Sequence, residues 1–136
     1  MVRRGEAYVD TSALIAFSDR SDTHHPLFRR LFSAPPALLT TALVVAEGQA
    51  WFLRRCDRTR ALHFMAMVEE MPLTIAPVGV AEQQGGAEVL RRFSDQDLTL
   101  TDAVGLHLMR VRGIDVCWST DFHLGLTGVR LAIHGA

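Results

Sequence analysis

Short apolar runs alternate along this chain with longer segments in which apolar residues recur at helical spacing. Strand side chains repeat every two residues and helix side chains every 3.6, so the short runs predict strands and the longer segments predict amphipathic helices. Strands that alternate with helices in this way are typical of a parallel sheet. We therefore predict the α/β class, as a three-layer α/β/α domain with a central parallel sheet of four to five strands.

Local signals bound the predicted elements. Pro35 and Pro36 break the chain between a helix and a strand, because proline lacks an N–H donor and restricts the residue before it. Thr41 is suited to cap the helix that follows it, and Gly113 is suited to end the last helix. We predict strands at residues 7–10, 38–40, 73–77 and 115–120, with a fifth candidate at 129–131. The predicted helices span residues 11–18, 25–33, 42–55, 58–70, 80–93 and 101–112.

Composition narrows the class of protein. The chain has 136 residues, of which 49% are hydrophobic and 21% charged. This length and apolar content suit one domain with a buried core, so we predict a single domain over residues 1–136. No apolar run reaches the roughly 18–20 residues of a membrane helix, and a cytoplasmic protein is the simplest interpretation. Cys56 and Cys117 lack metal-type spacing, and we expect both to be buried free thiols.

The charge pattern excludes several kinds of site. The net charge is −1, so any binding of nucleic acid must use local patches instead of bulk positive charge. All 14 basic residues are arginine, and the chain has no lysine. Enzymes with a P-loop need a lysine in their phosphate loop, which excludes that class. Receiver-type domains and dehalogenase-type phosphatases also normally need a lysine, so both are disfavoured.

Four acidic residues stand where a parallel sheet places ligand sites. Asp10 ends the first predicted strand, Asp121 follows the fourth, and Asp102 lies in the first turn of the helix that leads to that fourth strand. Ligands of open parallel sheets bind at the carboxyl ends of the strands, so we expect these acids to converge there. Each also has a simpler interpretation. Asp10 and Asp121 are suited to cap helices, and Asp102 is suited to interact with a helix dipole.

Glu47 is the fourth acid, about two turns into the helix after the second strand. It shares a helical stripe with Leu43 and Trp51, and its neighbours along the chain are mostly small or apolar. A carboxylate in such a helix either lies on a narrow exposed edge or is held inward by a partner, because an unpaired buried charge is too costly to keep. The chain has no lysine, so an inward-facing Glu47 would need an arginine or a metal ion as its partner.

Four segments that contain these acids resemble the PIN-domain nucleases, in particular the toxins of VapBC-type toxin–antitoxin pairs. The resemblance covers nearly the whole chain and implies a PIN-like α/β/α fold. Each motif alone is weak, whereas all four in this order, in a chain of this size, are a specific match. The matching segments are residues 8–16, 40–47, 98–104 and 119–123.

The resemblance implies roles for individual residues. The family's acidic quartet, which holds Mg²⁺ or Mn²⁺, corresponds here to Asp10, Glu47, Asp102 and Asp121. Oxygen ligands favour these hard cations over zinc. Ser12 and Thr120 match the polar positions that help to place the attacking water or the scissile phosphate. Asp95 and Asp97 match an additional acid of some relatives only loosely, and His123 is a candidate for the border of the site.

By resemblance, the reaction is hydrolysis of an RNA phosphodiester bond that leaves a 5′-phosphate and a 3′-hydroxyl. The partners implied are the RNA substrate, a VapB-like antitoxin that covers the active site, and a second copy of the chain in a homodimer. Residues 23–32 and 42–53 are the helical segments expected to form the antitoxin groove. The alternative is a PIN-like module that binds RNA or protein without cutting. Candidate phosphate contacts are Arg3, Arg4, Arg29, Arg30, Arg54, Arg55, Arg58, Arg60, Arg91 and Arg92.

Overall fold

A parallel sheet of five strands lies at the centre of the computed structural model, which describes residues 5–134. Neighbouring strands are hydrogen-bonded in the order β3-β2-β1-β4-β5, and all four pairs are parallel. The fifth candidate strand is therefore confirmed. The strands are β1 (Glu6–Val9), β2 (Ala37–Thr41), β3 (Leu73–Ala76), β4 (Val116–Trp118) and β5 (Arg130–Leu131).

Six α-helices flank the sheet and give the three-layer α/β/α arrangement predicted above. All predicted elements occur, and their ends agree with the structure to within two residues. Two short 3₁₀ helices, Phe122–Gly125 and Ala132–His134, complete the described chain. The α-helices are α1 (Thr11–Ser18), α2 (His25–Ser33), α3 (Ala42–Arg55), α4 (Arg58–Glu70), α5 (Val80–Arg92) and α6 (Leu100–Arg112).

The strand order places a crevice beside the first strand. The chain starts in β1, builds one side of the sheet with β2 and β3, and then crosses to build the other side with β4 and β5. Strand order therefore reverses between β1 and β4, which is where open parallel sheets bind ligands. Val9 pairs with Trp118, and the N–H of Asp10 donates to the carbonyl of Trp118 at 3.0 Å. The residues that follow β1 and β4 are consequently side by side.

Helix ends follow from a few polar or small residues. The hydroxyl of Thr41 accepts a hydrogen bond from the N–H of Val44, as predicted for the cap of α3. Gly113 has a φ of 68°, a left-handed conformation that favours glycine, and α6 ends there. The helix α6 begins at Leu100, one residue before the predicted start, because Thr99 is its N-cap.

One close packing contact fixes α6 against the central strand. Tyr8 of β1 is fully buried, and its ring lies directly over Gly105 of α6. A Cβ atom at Gly105 would lie 2.9 Å from Cε1 of Tyr8, so only glycine permits this approach. Asp102 lies one turn before Gly105 on the same helix. The contact therefore sets the distance between Asp102 and the end of β1.

Both cysteines are free, but the prediction that both are buried was wrong for Cys56. Cys117 is buried within β4, whereas Cys56 is exposed because it directly follows the last turn of α3 at the surface. Within residues 5–134, no helix is both long enough and apolar enough to span a membrane. The prediction of a single domain over residues 1–136 stays a prediction.

Candidate functional site

A pocket of about 310 Å³ brings together all four acids that the sequence singled out. It opens at the carboxyl ends of β1 and β4, with α3 and the start of α6 beside it. Ser12 also lines it, together with four residues that were not predicted to form the site, Thr11, Ile15, Trp51 and Thr99. The lining residues are Asp10, Thr11, Ser12, Ile15, Glu47, Trp51, Thr99, Asp102 and Asp121. We refer to this cavity as the acid pocket.

Asp10 is the most deeply buried of the four acids. Only 4% of its surface is exposed. Asp10 is the N-cap residue of α1, as the simpler interpretation predicted, but its side chain makes no capping hydrogen bond and is available to the pocket. Instead, its Oδ2 accepts hydrogen bonds from the hydroxyls of Ser12 and Ser119, each at 2.9 Å. Burial and the charge of Asp102 raise the pKa of Asp10 to about 6, although the two hydroxyls counteract that increase.

Asp102 combines a structural bond with a place in the acid pocket. Its Oδ2 accepts from the N–H of Thr99 at 3.2 Å, and its own N–H donates to the hydroxyl of Thr99 at 3.1 Å. This reciprocal pair caps α6 and fixes the carboxylate. Burial raises the pKa of Asp102, and the carboxylates of Asp121 and Glu47 raise it further. Asp102 therefore has a role at the start of α6, as the simpler interpretation predicted, and it also lines the acid pocket.

Asp121 is held by the loop that follows β4. Its N–H donates to the hydroxyl of Ser119 at 2.9 Å, and its Oδ1 accepts from the N–H of His123 at 3.0 Å, which caps the 3₁₀ helix. The ring Nδ1 of His123 lies 2.8 Å from the same oxygen. His123 therefore borders the site through Asp121 and does not line the acid pocket.

Glu47 reaches the acid pocket from α3 and is half-buried. Across residues 5–134, no arginine forms an ion pair with it or with any other acid of the pocket. The two ion pairs found there join histidines to Asp22 and Asp121. The sequence left an exposed edge, an arginine or a metal ion open for Glu47. The side chain is half-buried, so it is partly exposed to solvent, and no arginine within residues 5–134 pairs with it.

Ser119 is the residue that the sequence analysis missed. Its buried hydroxyl donates to Asp10 and accepts from Asp121, so it connects the residues after β1 with those after β4. Ser12 accepts the N–H of Thr120 at 2.9 Å, which ties the same two segments together. Thr120 thus enters the site through its backbone. Asp95 and Asp97 are exposed and do not line the acid pocket.

The acid pocket fits a partly hydrated hard cation better than a closed metal cage. No three histidine, cysteine, aspartate or glutamate side chains within residues 5–134 are positioned to hold one ion. Magnesium, however, is usually bound by one or two carboxylates while it keeps several waters. Asp10 and Asp102 are buried carboxylates without a cationic partner, and their mutual repulsion favours a divalent ion.

A second groove, of about 600 Å³, continues from the acid pocket along α3. Glu47 and Trp51 line both cavities, and Arg54 and Arg55 lie farther along the groove. The guanidinium of Arg55 stands over the ring of Trp51, 5.4 Å from its centre. Of the arginine pairs predicted to contact phosphate, this one lies beside the site, whereas Arg3 and Arg4 fall outside the described residues.

Comparisons with known proteins agree with this geometry. The 23S rRNA-specific endonuclease VapC20 of Mycobacterium tuberculosis, from strains CDC 1551 and H37Rv, is 26% identical over 122 residues, 89% of this chain and 93% of the relative. The crystal structure of VapC20, a Sarcin-Ricin loop cleaving toxin, has a TM-score of 0.83 at 25% identity and covers 90% of this chain and 95% of its own.

Two more distant structures share the fold. VapBC2 of Rickettsia felis, bound to a promoter DNA fragment, has a TM-score of 0.66 at 9% identity and covers 93% of this chain and 96% of its own. A toxin–antitoxin complex of Klebsiella pneumoniae has a TM-score of 0.63 at 14% identity, with coverages of 92% and 94%. The sequence model of the PIN domain matches residues 7–126, and the chain therefore belongs to the PIN-domain family.

Proposed function

We propose that this protein is a metal-dependent endoribonuclease, and that it is the toxin of a type II toxin–antitoxin pair. The observation that carries the proposal is the acid pocket, in which the buried Asp10 and Asp102 meet Glu47 and Asp121 without an arginine partner within residues 5–134. The likeness to the endonuclease VapC20 over most of both chains supports the same activity.

The residues of the pocket have different roles in the proposed hydrolysis. Asp10 and Asp102 would hold Mg²⁺ or Mn²⁺, with Glu47 and Asp121 completing the site directly or through water. Such an ion would act as a Lewis acid toward the phosphoryl oxygen and would lower the pKa of a water at the site. Ser12 and Ser119 keep the Asp10 carboxylate in one orientation. Water attacks phosphorus, the bond to the 3′ oxygen breaks, and the products carry a 5′-phosphate and a 3′-hydroxyl.

The nuclease proposal is tested by cleavage of an RNA panel with Mg²⁺, with Mn²⁺ and with a chelator. The panel begins with 23S rRNA, because that is the substrate of the VapC20 relatives. We expect cleavage that needs the metal and is lost in folded Asp10→Asn and Asp102→Asn proteins. Asp115→Asn is the matched control, because this exposed acid precedes β4, at the opposite end of the strand from Ser119.

An inactive result would favour the other interpretation. If the metal-loaded wild type cuts no RNA in the panel, the PIN-like binding module without nuclease activity replaces the enzyme. If Asp10→Asn cuts as well as the wild type, the cleavage comes from a contaminant or from another site. Either outcome contradicts the role proposed for the acid pocket.

The toxin proposal has its own test. Induced expression in a bacterial host should arrest growth, and Asp10→Asn should be harmless at equal protein levels. Co-expression of a VapB-like antitoxin from the neighbouring gene should restore growth, and the antitoxin should occupy the groove along α3 that adjoins the acid pocket. Unimpaired growth with active wild-type enzyme would argue for a housekeeping ribonuclease instead. Homodimer formation and a cytoplasmic location stay predictions.

A further inference from the structure

Phe122 is an unusual side chain for the edge of an active site. It directly follows Asp121, and 65% of its surface is exposed. Six other large hydrophobic residues of the described chain are exposed, by 38% to 72% of their surface, and all of them are aliphatic. Single exposed apolar side chains are common and do not by themselves indicate a binding site. The position of Phe122, one residue from an acid of the pocket, and the way its ring is supported set it apart.

The ring of Phe122 is supported on one face. It stacks on the imidazole of His123, with 4.3 Å between the ring centres and 29° between the planes. The imidazole in turn is fixed by its Nδ1, 2.8 Å from Oδ1 of Asp121. The same carboxylate accepts the N–H of His123. The outer ring of this stack is therefore held in place by an acid of the pocket.

The segment below the two rings is anchored as well. The 3₁₀ helix Phe122–Gly125 starts at Asp121, whose N–H is bound by the buried Ser119. Leu124 of this helix is fully buried in the core. A platform that is ordered before binding loses little conformational entropy when a ligand covers it. Its position relative to Asp10 is set by the bond between Ser119 and Asp10.

We propose that Phe122, backed by His123, is a stacking platform for one unpaired base of the RNA, close to the scissile phosphate. This inference rests on the proposed ribonuclease function. A flat apolar ring with one open face suits a flat ligand ring, and unpaired bases are the flat groups that an RNA substrate brings to the acids. Stacking tolerates any base, so the platform selects for an unstacked nucleotide more than for a particular sequence.

Binding measurements without metal test the platform separately from cleavage. A fluorescent single-stranded RNA that the wild type cuts is prepared as a series, each member with one abasic position near the cleavage site. Fluorescence anisotropy in chelator then gives a dissociation constant for each member. For the wild type, one abasic position should weaken binding by about 5- to 20-fold, the contribution of one stacked base at a solvent-exposed site.

The variants decide whether that position belongs to Phe122. Phe122→Ala should bind the intact RNA about 5- to 20-fold more weakly than the wild type does. For this variant, removing the base at the sensitive position should weaken binding no further, because in a double-mutant cycle the two changes remove the same interaction. Phe122→Trp should retain affinity, whereas Phe122→Leu, apolar but not flat, should not. In steady-state cleavage with Mn²⁺, Phe122→Ala should raise KM and leave kcat nearly unchanged. Val111→Ala is the control, because Val111 is 64% exposed on α6.

The outcomes separate this inference from the function on which it rests. If the wild type binds and cuts RNA but Phe122→Ala has the same dissociation constants across the series, the platform is refuted while the nuclease stands. If Phe122→Ala instead lowers the mass measured by sedimentation, Phe122 belongs to a contact between protein chains, and the inference is also overturned. If the wild type neither binds nor cuts any RNA, the proposed function itself fails.

Discussion

Replacing Asp10 with asparagine should stabilise the metal-free protein at neutral pH. The pKa of Asp10 is raised from 3.8 to about 6 in the folded state, because the carboxylate is buried near Asp102. A folded state that binds the proton more tightly than the unfolded state loses stability as pH rises from about 4 to about 6. The difference amounts to about 3 kcal/mol above pH 7. Asparagine removes this charge and still accepts hydrogen bonds from Ser12 and Ser119.

The pH dependence of the gain is what identifies its cause. At pH 8 the full penalty of the charged carboxylate is present, so Asp10→Asn should raise the free energy of unfolding by about 2–3 kcal/mol. At pH 4.5 most folded molecules carry a neutral Asp10, and the gain should shrink to about 1 kcal/mol. For a domain of this size, the larger gain corresponds to a rise in Tm of about 6–12 °C.

Urea denaturation in chelator, followed by circular dichroism at both pH values, measures these differences. Asp115→Asn serves as the control for a change of net charge, because this acid is exposed. A wild type that is at least as stable as Asp10→Asn at pH 8 would refute the reasoning. So would a gain of equal size at both pH values, since the cause would then be something other than the buried charge.

Three further predictions follow from the same contacts. Millimolar Mn²⁺ or Mg²⁺ should raise the Tm of the wild type in thermal scans and leave the Tm of Asp102→Asn unchanged. When the free metal concentration is 100 times the dissociation constant, the free energy of unfolding of the wild type should rise by about 2.7 kcal/mol. Ser119→Ala removes the hydroxyl that lowers the pKa of Asp10 most, so this pKa should rise further. The acidic limb of the pH–rate profile should then move to higher pH, by more than in Ser12→Ala. Gly105→Ala places a methyl group against Tyr8 and should cost about 1–3 kcal/mol in chemical denaturation, with weaker metal binding because Asp102 shifts.

The fold was predictable because its signals are local. Hydrophobic periodicity located the five strands and six α-helices of residues 5–134, and Thr41 and Gly113 marked helix ends that the structure confirms. The start of α6 was misplaced by one residue because the preceding loop was predicted to include Leu100. The reciprocal bonds between Thr99 and Asp102 make Thr99 the N-cap and Leu100 the first residue of the helix. That three-residue spacing is visible in the sequence and is the signal that was overlooked.

The hydroxyl network of the site was harder to predict because it depends on strand register. Ser119 contacts Asp10 only because Val9 is aligned with Trp118 across the β1–β4 pair. A shift by one residue would place Thr120 there instead. The sequence contains Ser119 and Thr120 next to each other, with no local feature that separates them. The strand β4 was also predicted to run to residue 120, whereas it ends at Trp118. The side chains beyond it therefore no longer alternate as in a strand.

The hydroxyls of Ser12 and Ser119 explain how Asp10 can lower the stability of the metal-free protein and still be ionised at neutral pH. Without Ser12 and Ser119, burial would raise the pKa of Asp10 above the value of about 6 that it has with them. With them, Asp10 is ionised at neutral pH, and no arginine within residues 5–134 pairs with the carboxylates of the acid pocket. Such a pocket repels RNA phosphate by itself. A hard divalent cation removes both problems, since it offsets the repulsion between the carboxylates and gives the phosphate an attractive partner. The instability predicted for the metal-free wild type and the metal dependence predicted for cleavage are therefore two consequences of one buried charge. Asp10→Asn should remove that instability and the metal-dependent cleavage together.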